Sequence, residues 1–296
     1  MRISQFPLYL MVLPGMILVL IYSYVPMGGI IIAFQNFIPA KGLFGDQEWV
    51  GWKNFLYMFK LPNFTSLLFN TLYIAILKII VNMVFPIFVS LLLNELMSNR
   101  LKKVFQTMVY FPYFLSWVII AGVMIDMLSP SMGLVNKLIG ALGGTPVYFL
   151  GDPKVFPYTM VVTDLWKSFG FGTVVYLAAL TNIDPTLYEA ASIDGAGRWK
   201  QTLHVTLPGI LPIVVLMLTL SLGNILNAGF EQIFNFYSPQ VYETGDIIDT
   251  FVYRLGIIQA RYSLATAVGL CKSLVSFIMI SVSYYLASRY ADYRIF

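Results

Sequence analysis

The stretch "YEAASIDGAGRWKQTLHVTLPGILP", residues 188–212, is the most polar run in the second half of a very apolar chain. Just upstream, Asp184 is a helix N-cap residue, and Pro185 suits the first helical position, where an N–H would be unpaired anyway. Residues 186–193 then read as a helix without a breaker, and Asp194-Gly195 reads as a turn or C-cap. A second short helix over about residues 197–205 is predicted to end at Leu207-Pro208. The stretch therefore predicts two short helices around a glycine, projecting from between two apolar segments. Ala190 and Ala191 leave a low surface that lets another protein come close. Glu189, near a helix N-terminus, is favoured by the helix dipole and can still pair with a partner's arginine. The residues themselves allow two readings, a protein-docking surface or an amphipathic hairpin lying on lipid.

The composition puts that loop in a membrane protein. Of 296 residues, 58% are hydrophobic and 11% charged, against about 25% charged in soluble domains, and mean hydropathy is +0.78. The net charge of +4 needs no nucleic-acid partner; a few basic residues near an anionic leaflet account for it. One cysteine, Cys271, and one histidine, His204, exclude an intrachain disulfide and a Cys- or His-rich metal site. The long N-terminal apolar run exceeds a signal peptide's hydrophobic region and has no cleavage site, so it reads as a retained span.

A helix needs about 20 apolar residues to cross the hydrocarbon core. Six stretches qualify, approximately 6–34, 70–93, 104–128, 157–180, 208–230 and 262–288, and the expected fold class is an all-α membrane protein forming a single domain, residues 1–296. Arg2, Arg100, Lys102, Lys103, Arg198, Lys200, Arg289 and Arg294 cluster in the termini and short loops. That density places both termini and the opening stretch in the cytoplasm. The longer loops 35–69, 129–156 and 231–261 face out, rich in aromatics. The last carries Glu231, Glu243, Asp246 and Asp249, and its length suits contact with a partner.

Charges within spans are costly and must face protein, water or the interface. Asp164 and Lys167 are three apart and can pair on one helix face. Lys78 and Lys272 have no local acid, so they are candidates to face a water-filled cavity and attract an anionic solute; snorkelling, or pairing with another subunit, is the other reading. Asn224 and Asn227, three apart on one predicted helix face, either bond across helices or line a polar path. Tyr176 and Phe230 are candidate aromatic stacking faces. No phosphate-binding loop is present: in "GLCKSL", residues 269–274, a cysteine stands where glycine is needed.

The loop at 188–208 resembles the EAA loop of ABC importer permeases, which reads Glu-Ala-Ala, three residues, Gly, nine residues, Ile, one residue, Leu-Pro. Here Glu189-Ala190-Ala191, Gly195, Val205 and Leu207-Pro208 fall at that spacing, with Val205 for Ile the one departure. The resemblance implies a type I importer permease fold. It makes residues 184–207 the cytoplasmic coupling loop, with Glu189, Ala190, Ala191, Asp194 and Gly195 at a cleft on a separate ATP-hydrolysing subunit. "WVGWKNF", "NTLYIAILKIIVN", "YFPYFLSWVI" and "GFEQIFNFYSPQVYETGDIIDTFVYR" are similar to the first permease of maltose-type oligosaccharide importers. They fall in the branch associated with uronate-containing and plant-polysaccharide oligosaccharides such as alginate. In that group a like-spaced asparagine pair contacts sugar, which makes Asn224 and Asn227 the leading cavity candidates. The implied assembly adds a second, non-identical permease, two ATP-binding subunits holding ATP and Mg, and an extracytoplasmic solute-binding protein, all in the bacterial cytoplasmic membrane. This chain binds no cofactor and performs no covalent chemistry on this reading. An ion-driven secondary transporter should show inverted repeats with paired broken helices, and a membrane hydrolase needs a nucleophile with its base.

Overall fold

The computed structural model describes residues 6–96 and 98–290. Arg2 and Arg294, two of the residues used for the topology argument, lie outside them. Helices make up most of the structure. A small addition to the all-α expectation is an antiparallel hairpin, β1 (Gln35–Asn36) and β2 (Glu48–Trp49), with Gln35 opposite Trp49. The chain divides into two compact units, Met1–Phe64 with Phe251–Ser273, and Thr65–Thr250 with Leu274–Phe296.

In the first unit, α1 (Phe6–Val19) continues through a π-turn, Leu20–Tyr24, and a 3-10 stretch, Val25–Phe34. Pro26 and the Gly28-Gly29 pair account for the irregularity, since proline removes an i→i−4 bond and glycine does not hold a helix. Ala33, Phe55 and Ala267 form a small core there. Phe34 stacks on Trp49 with centroids 5.8 Å apart, and Asn54 Nδ2 donates to the Ala33 carbonyl at 2.8 Å. Asn54 therefore answers a backbone carbonyl freed where the helix ends.

The second unit contains α2 (Phe64–Asn94, entered from its first residue), α3 (Asn99–Tyr110), α4 (Trp117–Met127), α5 (Phe156–Thr181), α6 (Pro185–Ile193), α7 (Arg198–Gln201), α8 (Leu207–Gly223) and α9 (Phe230–Phe236). The last helix, α10, spans Tyr262–Tyr290. Four helices among the described residues are long and apolar enough to cross a membrane, and a fifth joins them if α3 and α4 form one bent span.

Of the six expected spans, 157–180 folds as one helix, Phe156–Thr181, but is not among those apolar enough to cross a membrane, and two others differ from their predicted form. The stretch 104–128 is not straight: it bends by 101° between Phe114 and Trp117. Pro112 offers no N–H, Leu115 is extended, and Ser116 caps the next helix by accepting from the Ile119 N–H at 3.4 Å. The stretch 208–230 likewise stops at Gly223, while its N-terminal end is not separate from the loop. Helix continues from Arg198 to Gly223, so the predicted stop at Leu207-Pro208 does not occur. A π-turn at Thr202–Thr206, in which the Leu207 N–H reaches the Thr202 carbonyl, shifts the bonding pattern ahead of Pro208 and absorbs its missing donor.

Close helix contact in this unit rests on glycine. A Cβ on Gly170 would stand 2.0 Å from the Val109 carbonyl oxygen, so α5 and α3 meet backbone to backbone. Gly170→Ala is expected to lower stability by about 1–3 kcal/mol. Gly122, with nothing within 4 Å of its Cβ position, should accept alanine without loss. Thermal unfolding of the two variants side by side checks this.

Candidate functional site: a rigid loop and two pinned helix breaks

The loop of residues 184–207 folds as a helical hairpin. Asp184 caps α6 by accepting from the Thr186 N–H at 2.9 Å. That backbone bond, with the Thr186 hydroxyl second, holds the Asp184 carboxyl below the usual aspartate range. The cap's contribution is therefore complete above the ordinary aspartate pKa and is lost as pH falls through the lower folded value. Amide exchange at Thr186, followed across that acid range, should show the cap releasing only below the ordinary aspartate pKa. Gly195 turns the chain at φ +76°, a conformation that costs other residues strain.

The two arms are tied together. Gln201 Nε2 donates to Ser192 Oγ at 2.9 Å and to the Ala196 carbonyl at 3.1 Å. The Tyr188 hydroxyl meets Thr206 Oγ1 at 3.0 Å, and Arg198 pairs with Glu95 at 3.0 Å, just beyond α2. Glu189, Ala190, Asp194 and Gly195 are exposed and Ala191 is half-buried. Around them, Ile193 is 87% and Trp199 73% exposed, the most exposed of the large apolar side chains on the hairpin. Sequence reading missed Ile193 and Trp199, although both stand in the quoted stretch.

The two helix breaks leave backbone carbonyls without the N–H partners that a continuous helix would supply. Each break is pinned by a lysine from another helix. At the α3–α4 bend, Lys167 of α5 donates to the Tyr113 carbonyl at 3.1 Å and to that of Leu115. Its ammonium lies 5.4 Å from the Trp117 ring centre, a cation–π arrangement. At the α8–α9 break, Lys78 of α2 donates to the Ala228 carbonyl at 2.7 Å and to Gln232 Oε1, and pairs with Asp164 at 3.4 Å. Asp164 also accepts from Asn82 at 2.8 Å, and Gln232, fully buried, donates to Thr163 Oγ1 at 2.7 Å and to the Met160 carbonyl at 2.8 Å. Gly229, at φ +95°, leaves room for this: its Cβ would lie 2.9 Å from Lys78 Nζ. The pieces beyond the breaks, α4 and α9, pack on each other, with Trp117 edge-on to Phe236 at 6.4 Å.

These contacts correct two expectations. Asp164 does not pair with Lys167 as its neighbour on the helix; its salt bridge is to Lys78, while Lys167 caps carbonyls. Lys78 does not face a cavity with its charge open; it is 7% exposed and committed to a carboxylate, an amide and a carbonyl. The reason is the helix breaks, which create acceptors that side-chain spacing alone does not reveal. Asn224 and Asn227 are not on a helix face either. They lie in the α8–α9 break, both exposed, with the Asn227 N–H donating to the Asn224 carbonyl at 2.8 Å and Asn224 Nδ2 reaching back to the Leu220 carbonyl at 3.3 Å. Phe230 opens α9 and stacks on Phe234 at 5.3 Å. Tyr176 is 1% exposed; it borders a cavity of about 130 Å³ with Asn82, Ser168 and Ser221, and presents no open face for a sugar in this arrangement. Lys272 is half-buried on α10 in the first unit. Of the residues that hold the break, sequence reading overlooked Gly229 and Gln232, which sit within the quoted "GFEQ"; a glycine followed by a buried amide was the available signal.

Residues 83–292 match the family described as binding-protein-dependent transport system inner membrane component. The chain belongs to that family. Among curated relatives, the permease is 41% identical to the polygalacturonan/rhamnogalacturonan transport system permease protein YteP of Bacillus subtilis strain 168. The match covers 99% of this chain and 91% of the relative. It is 40% identical to Protein LplB of the same organism, over 98% and 91% of the two chains. Among solved structures it resembles a chain of the bacterial alginate ABC transporter in complex with an alginate pentasaccharide-bound periplasmic protein. That match has TM-score 0.88 and 38% identity, covering 96% of the permease and 95% of that chain. A second structure, of a bacterial ABC transporter importing the acidic polysaccharide alginate, matches with TM-score 0.88 and 39% identity over 97% and 96%.

Proposed function

We propose that this permease is one of two non-identical membrane subunits in an ATP-driven importer of acidic oligosaccharides. Family membership carries this reading. The cargo class is supported by two independent similarities, to a polygalacturonan/rhamnogalacturonan permease and to an alginate transporter chain, both concerned with uronate-containing polymers. On this reading six spans cross the cytoplasmic membrane, α5 among them, with both termini and the 184–207 hairpin inside. The hairpin's small residues, Ala190, Ala191 and Gly195, with exposed Ile193 and Trp199 around them, dock into a separate ATP-binding subunit, of which the assembly holds two, each with ATP and Mg. An extracytoplasmic binding protein delivers the sugar. The break at Asn224–Asn227 lines its path, with Phe230 at the next helix start. Closure of the ATPase pair pushes the hairpins and turns the path outward; hydrolysis returns it inward.

Lys272 is a second candidate for steering an anionic cargo. Lys272→Met is expected to reduce uptake of an acidic oligosaccharide by about tenfold, the loss of one charge-assisted contact, and to spare a neutral one of equal length. Equal uptake of both, unchanged from the parent, would remove Lys272 from the path.

The reading as a whole is tested by purification. An ATPase subunit should come with this chain, and the two together with the second permease should take up a uronate oligosaccharide only when ATP is supplied.

A further inference from the structure

The first unit contains a cleft of about 440 Å³ between the hairpin segment and the start of α10, within the range of about 300–1,000 Å³ usual for small-ligand sites. Its walls combine three kinds of group. Tyr57 and Tyr262 supply aromatic surface, with Tyr262 fixed by edge contact with Phe37 at 6.1 Å. Lys53 and Arg261 supply positive charge. Asn54 and Ser263 add neutral polar groups that are partly committed, Asn54 Nδ2 donating to the Ala33 and Gln35 carbonyls and Ser263 Oγ accepting from the Phe37 N–H at 2.9 Å, and the one carboxylate in the lining, Glu48, accepts from Asn36 at 3.1 Å.

Arg261 is placed rather than loose. Its guanidinium lies 5.4 Å from the Tyr57 ring centre and donates to the Tyr57 hydroxyl at 3.4 Å. The residue before it, Ala260, has φ +53°, and is the one non-glycine with positive φ among the described residues. An alanine held there is strained, and such strain persists where the surroundings over-determine it, often at ligand sites. The flanking bonds, Gln259 N–H to the Arg254 carbonyl at 2.9 Å and Arg261 N–H to the Leu255 carbonyl at 2.8 Å, lock the turn that aims Arg261 along the cleft.

We infer that this cleft is a binding site for a uronate unit of the incoming oligosaccharide. Aromatic faces accept the C–H face of a sugar ring, amide and hydroxyl groups answer its hydroxyls, and a guanidinium with a nearby ammonium recognises a carboxylate by charge-assisted bonds. A purely apolar or purely charged cleft would lack one of these elements. The inference rests on the proposed function for its cargo and for placing these two loops on the outer face.

The test uses the assembled importer in bilayers of uncharged phosphatidylcholine without the binding protein. Equilibrium binding of a uronate trisaccharide and of a neutral trisaccharide is measured there, and ATP-driven uptake of each is measured with the binding protein restored. The uronate is expected to bind more tightly. Arg261→Gln should weaken it about tenfold or more, Arg261→Lys should recover part of that loss, and Lys53→Gln, on the exposed rim, should weaken it less. Unchanged uronate binding in Arg261→Gln and Lys53→Gln, or equal binding of the neutral sugar, overturns the site while leaving the importer reading intact. Displacement of the uronate by phosphatidylglycerol, with no effect of uronate on uptake kinetics, makes the cleft a lipid headgroup seat and overturns it as well. Uptake of the neutral sugar with none of the uronate would instead overturn the proposed cargo.

Discussion

Replacing Lys78 by methionine is expected to destabilise the permease by about 3–5 kcal/mol, the usual cost of removing one partner from a buried ion pair. The loss has three sources. Asp164 keeps its bond from Asn82 but loses its cation. The Ala228 carbonyl, exposed by the α8–α9 break, loses its donor, and Gln232 loses the donor to its Oε1. Methionine is close to lysine in length, so packing changes little and the deficit is polar. Adding Asp164→Asn should recover part of it, since no unpaired charge then remains buried. A double-mutant cycle on thermal unfolding reads the coupling. Retained stability in Lys78→Met, with selectivity between acidic and neutral sugars altered, would show instead that Lys78 addresses the cargo.

The second large effect is expected at the hairpin. Glu189→Lys and Gly195→Trp should each reduce co-purification of the ATPase subunit and ATP-driven uptake by tenfold or more, the equivalent of at least about 1.4 kcal/mol of docking free energy. Glu189→Lys reverses a charge offered to the partner; Gly195→Trp fills the surface between the two arms. The position of Gly195 is open, with nothing within 4 Å of its would-be Cβ, so a bulky group projects toward the partner, and at φ +76° it also strains the turn. Gly195→Asn is the control for the turn, because asparagine tolerates the left-handed conformation. It should keep the hairpin folded, as read by amide exchange at Thr186, and separate loss of the turn from obstruction of the docking surface.

Much of the local structure was legible from residue order. Asp184-Pro185 predicted the start of α6 and Asp194-Gly195 its end, because capping and left-handed turns depend on the residues that make them. The apolar runs located the long helices for the same reason. What could not be read was the break in each of two spans and what holds it. Pro112 stands close to the break and drew no reading, and the bend of 101° is stabilised by Lys167, more than fifty residues away in sequence. The α8–α9 break depends on Lys78, 150 residues away. An apolar window registers neither contact; seen without its acceptors, Lys78 suggested an open cavity and Lys167 a helix-face pair with Asp164. Asn224 and Asn227 were found as a pair by spacing, yet helical period was the wrong geometry for them: they are exposed because the helix has ended, not because they share a face.

The central claim is that this chain conducts an acidic oligosaccharide under the power of a separate ATPase acting through the 184–207 hairpin. Its most direct test is uptake of a labelled uronate oligosaccharide into proteoliposomes holding both permeases and the binding protein, with and without the ATPase subunits and ATP. The account predicts accumulation only when ATPase and ATP are both present, abolished by Gly195→Trp. Accumulation that persists with no ATPase subunit in the membrane would contradict it.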